Sequence, residues 1–200
     1  MKLRLVGCVL ARTAWQPERL YKFGACKHAP YGPINEVFTV IGADCVMPNY
    51  IRPKVTGASI FFTVALQERG GQLLTDNIDH LRRSVAATLG ERPFRIDAWV
   101  VLPDHLHCIW TLPGGDGDYA TRWRLIKSRF SMELPKGVMR ASHHVRQERG
   151  VWQRRFWEHH IRDESDMAAH VRYCWINPVK HGFVARPEDW PYSSVHRDLR

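Results

Sequence analysis

Cysteine is scarce in this chain, long apolar runs are missing, and carboxylates are outnumbered. The 200 residues include 5 cysteines, at positions 8, 26, 45, 108 and 174. They are odd in number, thinly spread and without a Cys-x-x-Cys pair, which argues against a disulfide scaffold or a thiolate zinc motif and makes a reducing cytoplasm the expected setting. No segment approaches the roughly 20 apolar residues of a membrane span. The apolar stretch between Met1 and Cys8 is too short for an export signal. A Gly-x-x-x-x-Gly-Lys phosphate loop, a dinucleotide fingerprint, a His-Glu-x-x-His motif and internal repeats are all missing, so chemistry driven by ATP is not expected.

Cations are what the chain has in excess. Lys and Arg total 29 against 20 Asp and Glu, a formal charge of +9 before any of the 11 histidines is counted. A polyanion is the natural partner for such a surface, and nucleic acid is the first class to consider. With 44% hydrophobic residues the chain can bury one sizeable core.

Residues 1–46 carry scattered Gly and Pro with no sustained period. They read as an N-terminal extension, either poorly ordered or upstream of a true start at Met47. Residues 47–200 read as one domain. Ser59 to Leu66 is β-branched and aromatic and is expected as a first strand. Asp76 and Asn77 could cap a helix whose stripe is Ile78, Leu81, Val85 and Leu89, closed by Gly90. Phe94 to Val101 and His105 to Thr111 form a hairpin around Leu102-Pro103-Asp104. Tyr119, Trp123, Ile126, Phe130 and Leu134 mark a second helix, and Val151 to His160 a fourth strand at a sheet edge.

The order β-α-β-β-α-β predicts an α+β fold of the ferredoxin-like, RRM-like split βαβ kind, an antiparallel sheet with helices on one face. A third helix, from about Glu164 to Ile176 and ended by Asn177-Pro178, is available to cover the other face.

Strand side chains alternate, so His105 and His107 project together while Leu106, Cys108 and Trp110 project oppositely. Two imidazoles at that spacing can share one ion. Tyr173 and Asn177, four apart, lie on one side of the third helix, roughly opposite Met167, Val171 and Cys174. A docked helix would bring a hydroxyl and an amide to a two-histidine site. That set suits phosphodiester transfer, with a cation on the phosphate and a hydroxyl attacking in line. A phosphotyrosine would conserve the broken bond's energy and allow rejoining without ATP. His170, one turn before Tyr173, reads as an orienting or packing residue ahead of a base.

Arg122, Arg124, Lys127, Arg129, Arg154, Arg155, Lys180 and His181 surround these elements and are candidates for DNA contacts. Most of the interleaved tryptophans read as core. His143-His144 and His159-His160 match no zinc spacing and read as solvated or phosphate-facing.

In the blocks 93–113, Arg122-Trp123 with Lys127, 152–159 and 170–182, trailing into Asp189-Trp190-Pro191 and His196-Arg197-Asp198, the chain resembles the REP-associated tyrosine transposases. These are a bacterial branch of the single-tyrosine HUH transposases, and the resemblance spans about residues 47–200. It implies His105 and His107 as the metal-binding pair, Tyr173 as nucleophile and Asn177 in a third-ligand position. Related mobile-element enzymes carry Gln there, one methylene longer, so a bridging water at Asn177 is an alternative to direct coordination. It further implies Mg²⁺ or Mn²⁺, a 5′-phosphotyrosine intermediate, single-stranded DNA at repetitive extragenic palindrome (REP) hairpins, a monomer, and a nucleoid-associated cytoplasmic location.

Two rivals differ in kind. A non-catalytic single-stranded nucleic-acid-binding module of the same fold would stack bases on aromatics of strands one and three. A phosphodiesterase would need two His-x-Ser/Thr motifs, which the apolar strands do not offer.

Overall fold

The computed structural model describes residues 53–199; the extension expected over 1–46 lies outside the described residues. Their elements run β1 (Ser59–Ala65), α1 (Leu73–Asp76), α2 (Ile78–Glu91), β2 (Arg95–Val101), β3 (His105–Thr111), α3 (Tyr119–Met132), α4 (Ala141–Val145), β4 (Trp157–His160), α5 (Glu164–Lys180) and α6 (Val195–Asp198). A 3-10 turn at Pro187–Asp189 precedes α6. None of these helices is long and apolar enough to cross a membrane.

The strands form one antiparallel sheet in the order β2-β3-β1-β4. Period-two alternation sorts its side chains into two cores. Ile60, Phe62 and Val64 of β1 and Leu106, Cys108 and Trp110 of β3 pack beneath α2 and α3 with Leu81, Trp123, Ile126 and Phe130. Trp110 and Trp123 are stacked at 4.3 Å and fully buried; truncating a core aromatic of this kind costs about 3–5 kcal/mol. On the opposite face Phe61, Ala98, Val100 and Ile109 meet Cys174 of α5.

The exposed edge of β2 is closed by the chain's own tail. Val101 N–H donates to Tyr192 O, and Ser194 N–H donates to Trp99 O. Trp190 Nε1 adds a bond to Val101 O at 2.9 Å. The sheet edge is thereby protected from pairing with another chain.

Several elements depart from the sequence expectation. Asn77 stands at the N-cap of α2 but does not cap it; its amide donates back to Leu73 O, because the one-turn α1 immediately precedes it. The helix runs through Gly90 to Glu91 and stops ahead of Pro93. The polar stretch 136–150 contains α4. β4 occupies the last four of the ten residues expected; Trp152 makes an isolated bridge to Leu66. Finally, α5 does not stop at Asn177-Pro178 but encloses the proline and runs to Lys180. Pro178 forfeits one interior hydrogen bond, while burial of Cys174, Asn177 and Pro178 holds the last turn down. Gly182, at φ 72°, then ends the helix. Its N–H reaches Val179 O and that of Phe183 reaches Pro178 O, the paired bonds of a Schellman cap.

Candidate active site

β3 delivers His105 and His107 to the face beneath α5, with ring centroids 5.1 Å apart and only 6% and 4% exposed. In each ring one nitrogen is already engaged. His107 Nδ1 lies 2.9 Å from Thr63 Oγ1, its partner across the β1–β3 pair. His105 Nδ1 lies 2.6 Å from Asp104 Oδ1. Both Nε2 atoms are thus left as potential ligands, with ring orientation fixed from behind.

Burial disfavours the charged form of both rings. Burial pushes His107 well below the ordinary histidine value, and the neighbouring His105, His181, Lys180 and Arg69 push the same way. His105 is lowered by burial, although its bond to Asp104 opposes this. Burial alone would raise the Asp104 carboxyl, but the Gly70 N–H, His105 and Arg69 outweigh it and hold it below the usual range. Unprotonated imidazole is the form that binds a metal.

α5 places the phenol against this pair. The Tyr173 ring is 5.1 Å from that of His107, edge-on at 80°. Two turns later the His181 ring is 5.4 Å from that of His105. Asn177 lies on the same helix between these two contacts, four residues from each. It is fully buried, and neither atom of its amide has a hydrogen-bond partner. An orphaned buried amide is costly, about 1–3 kcal/mol, unless it serves a ligand. Two imidazole nitrogens and an amide oxygen are donor types that suit a divalent cation.

The helical faces differ from expectation in one respect. Tyr173 and Asn177 were placed opposite Met167, Val171 and Cys174, yet Cys174, Met167, Val171 and Tyr173 all join the same core and Asn177 is buried. The two rows are adjoining strips of one broad sheet-facing surface. His170 is bonded through Nδ1 to Asp166 O and stacked on His159, turned away from the Tyr173–His107 contact.

The expected DNA contacts separate into four groups. Lys180 and His181 are at the site, with Lys180 Nζ 5.6 Å from the Tyr173 ring centre. Arg124, Lys127 and Arg154 line an open cleft of about 910 Å³ on the α3 side, together with Lys136, Arg146 and Arg149. Arg155 is exposed on the approach to β4. Arg122 is not on the surface: at 1% exposure its guanidinium bonds the carbonyls of Arg92, Pro93 and Asp118 and the Asp116 carboxylate. Arg129 is likewise spent, on Thr88 and Glu91.

Sequence reasoning missed Thr63, Asp104 and Arg69. Thr63 was findable, since antiparallel pairing of strands one and three sets it opposite His107. The histidine reading also needs correction, because His143 is buried against the Arg140 N–H and His159 pairs with Asp166. As for base stacking, the aromatic that β1 offers on this face, Phe61, is 3% exposed beneath α5. The binding-module reading loses its platform.

No family model matches the chain. It is 47% identical over 153 residues to the REP-associated tyrosine transposase of Escherichia coli, covering 76% of this chain and 86% of that protein. It is 44% identical over 156 residues to a Haemophilus influenzae protein named provisionally for the same family, covering 77% and 89%. A solved structure of the REP-associated tyrosine transposase bound to a REP hairpin is 47% identical, with a TM-score of 0.66 over 76% of this chain and 86% of that one.

Proposed function

The chain belongs to the REP-associated tyrosine transposase family, and on that premise we propose that it cuts and rejoins single-stranded DNA at REP-type hairpins with Tyr173 as nucleophile. The observation that carries this is the contact of the Tyr173 ring with His107, 5.1 Å between centroids, inside one chain. We read the sheet order and the βαββαβ succession as the ferredoxin-like arrangement of the single-tyrosine HUH class.

His105, His107 and Asn177 would hold Mg²⁺ or Mn²⁺. When bound, such an ion neutralises charge on the scissile phosphate and orients it. The chain's own residues do the rest. α5 holds the Tyr173 ring against His107, Lys180 supplies a positive charge beside that ring, and the burial of both histidines limits their contact with water. Attack by the Tyr173 oxygen on phosphorus forms a 5′-phosphotyrosine and breaks the bond to the 3′ oxygen; the phenol proton passes to solvent, and the leaving 3′ oxygen takes one from solvent to become a hydroxyl. The reverse attack, by a 3′-hydroxyl, rejoins the strand and restores the phenol.

Lys180 and His181 are proposed to hold the cleaved strand, and Arg124, Lys127 and Arg154 a more distant part of the hairpin on the α3 side. Arg122 and Arg129 are left out of the contact set. Because one chain supplies both the tyrosine and the histidines, a monomer is the proposed working unit. The test is incubation of purified protein with a labelled single-stranded REP hairpin and Mg²⁺. A DNA–protein adduct that survives denaturation supports the reading, and its absence for a substrate that binds would overturn it.

A further inference from the structure

Outside the Tyr173 site, three metal-competent side chains converge near the start of the same helix. His159 comes from β4, and Asp166 and His170 come from α5. One ligand atom from each lies within 4.8 Å of the other two. His159 Nε2 is 2.8 Å from Asp166 Oδ2, and His170 Nδ1 is 3.1 Å from Asp166 Oδ1. Sequence spacing hid the group because its members are spread over two elements and resemble no zinc motif.

The surroundings suit an ion. The Asp166 carboxylate accepts from the backbone and side chain of Arg162 and meets His159 Nε2 at 2.8 Å. The Arg162 N–H also fixes the carboxylate from behind at 3.1 Å. Both imidazoles keep an opening to solvent, at 26% and 22% side-chain exposure. Only the Arg162 guanidinium stands on the carboxylate from outside, and that side chain is 75% exposed, free to swing away. Four-coordinate zinc holds its donors roughly 3.3 Å apart, given bonds of about 2.0–2.1 Å. The two separations to Asp166 need to open by about 0.2–0.5 Å to reach that spacing, and the one between the two imidazoles, within 4.8 Å, closes by up to about 1.5 Å.

We propose that His159, Asp166 and His170 form a second cation site, separate from His105 and His107, that takes a zinc-class ion with solvent in the fourth position. Two imidazole nitrogens and one carboxylate favour zinc over magnesium, which prefers oxygen ligands in an octahedron. Binding replaces the hydrogen bonds that the Asp166 carboxylate shares with the imidazoles and, where His170 ligates through Nδ1, its bond to the Asp166 carbonyl, and the protons held in those bonds are released to solvent. The ion ties α5 to the edge strand β4 one turn ahead of Tyr173. Phe61 stands between the two sites, 4.8 Å from the His170 ring and 5.7 Å from that of His107.

The experiment uses the full chain carrying His105→Ala and His107→Ala, so that the other site cannot contribute and strand cleavage is not the readout. Zinc is titrated against a chromophoric chelator, and cobalt is added in parallel. The expected result is one equivalent of zinc, a visible cobalt band of four-coordinate intensity, and a melting temperature raised on the order of 5–10 °C at 100-fold excess over Kd. Adding His159→Gln or, in a separate protein, His170→Gln should weaken zinc roughly 100-fold or more. Melting without metal identifies any variant that fails to fold, and the other variant then decides. No zinc uptake by the His105/His107 variant, or equal uptake once His159 or His170 is replaced, would overturn the proposal while leaving the Tyr173 reading intact.

Discussion

Thr63 Oγ1 sits 2.9 Å from Nδ1 of His107, directly across the β1–β3 pair, and so occupies one nitrogen of the imidazole that the Tyr173 ring meets edge-on. With Nδ1 tied to the hydroxyl, Nε2 is the atom left for a ligand.

Thr63→Val keeps the shape and removes the bond. It should weaken Mn²⁺ binding at the His105–His107 site by roughly 10–100-fold, the usual cost of losing an orienting partner. Titration with Mn²⁺ followed by electron paramagnetic resonance reads this directly. Unchanged affinity would assign the hydroxyl a packing role only.

Asn177 offers a sharper separation of stability from function. Its buried amide has no partner, so Asn177→Leu should leave the metal-free protein equally stable or more so, by up to about 1–3 kcal/mol. The same change should raise the Mg²⁺ concentration needed for half-maximal cleavage. A large loss of stability with no change in metal requirement would remove Asn177 from the site.

Arg122 and Arg124, two positions apart, should behave oppositely. Arg122→Met strips partners from the Asp116 carboxylate and three carbonyls, and should cost about 3 kcal/mol in denaturant unfolding. The folded fraction should bind DNA as before. Arg124 is exposed, and Arg124→Ala should leave unfolding unchanged while weakening binding uniformly across sequences and lowering the salt slope by about 1.

Asp116 carries a pH signature. The Arg122 side-chain bond, with help from the Asp118 N–H, holds its carboxyl below the ordinary 3.8. A depressed folded value means the contribution is complete above 3.8 and is lost as pH falls through the lower folded value. Melting curves of wild type and Asp116→Asn should differ by a constant amount above about pH 5 and converge below it. A gap that widens on acidification would contradict the assignment.

The paired histidines and their tyrosine were legible because alternation along β3 and the four-residue spacing on α5 are properties of backbone geometry. Arg122 was misplaced for a physical reason: a helical position predicts a direction but not what stands there, and the carbonyls of Arg92 and Pro93 come from a distant turn. Pro178 misled similarly, since its cost is local while the burial that offsets it is tertiary. The His159–Asp166–His170 group illustrates the same limit, because three residues with no motif spacing meet only once β4 and α5 have docked.

The central claim is that the Tyr173 oxygen makes the covalent bond to DNA. Wild type and Tyr173→Phe are incubated with Mg²⁺ and a hairpin labelled on the 3′ side of the cleaved phosphate, then resolved on a denaturing gel. The account predicts a labelled protein band for wild type and none for Tyr173→Phe, at equal DNA binding. An undiminished adduct in Tyr173→Phe would contradict it.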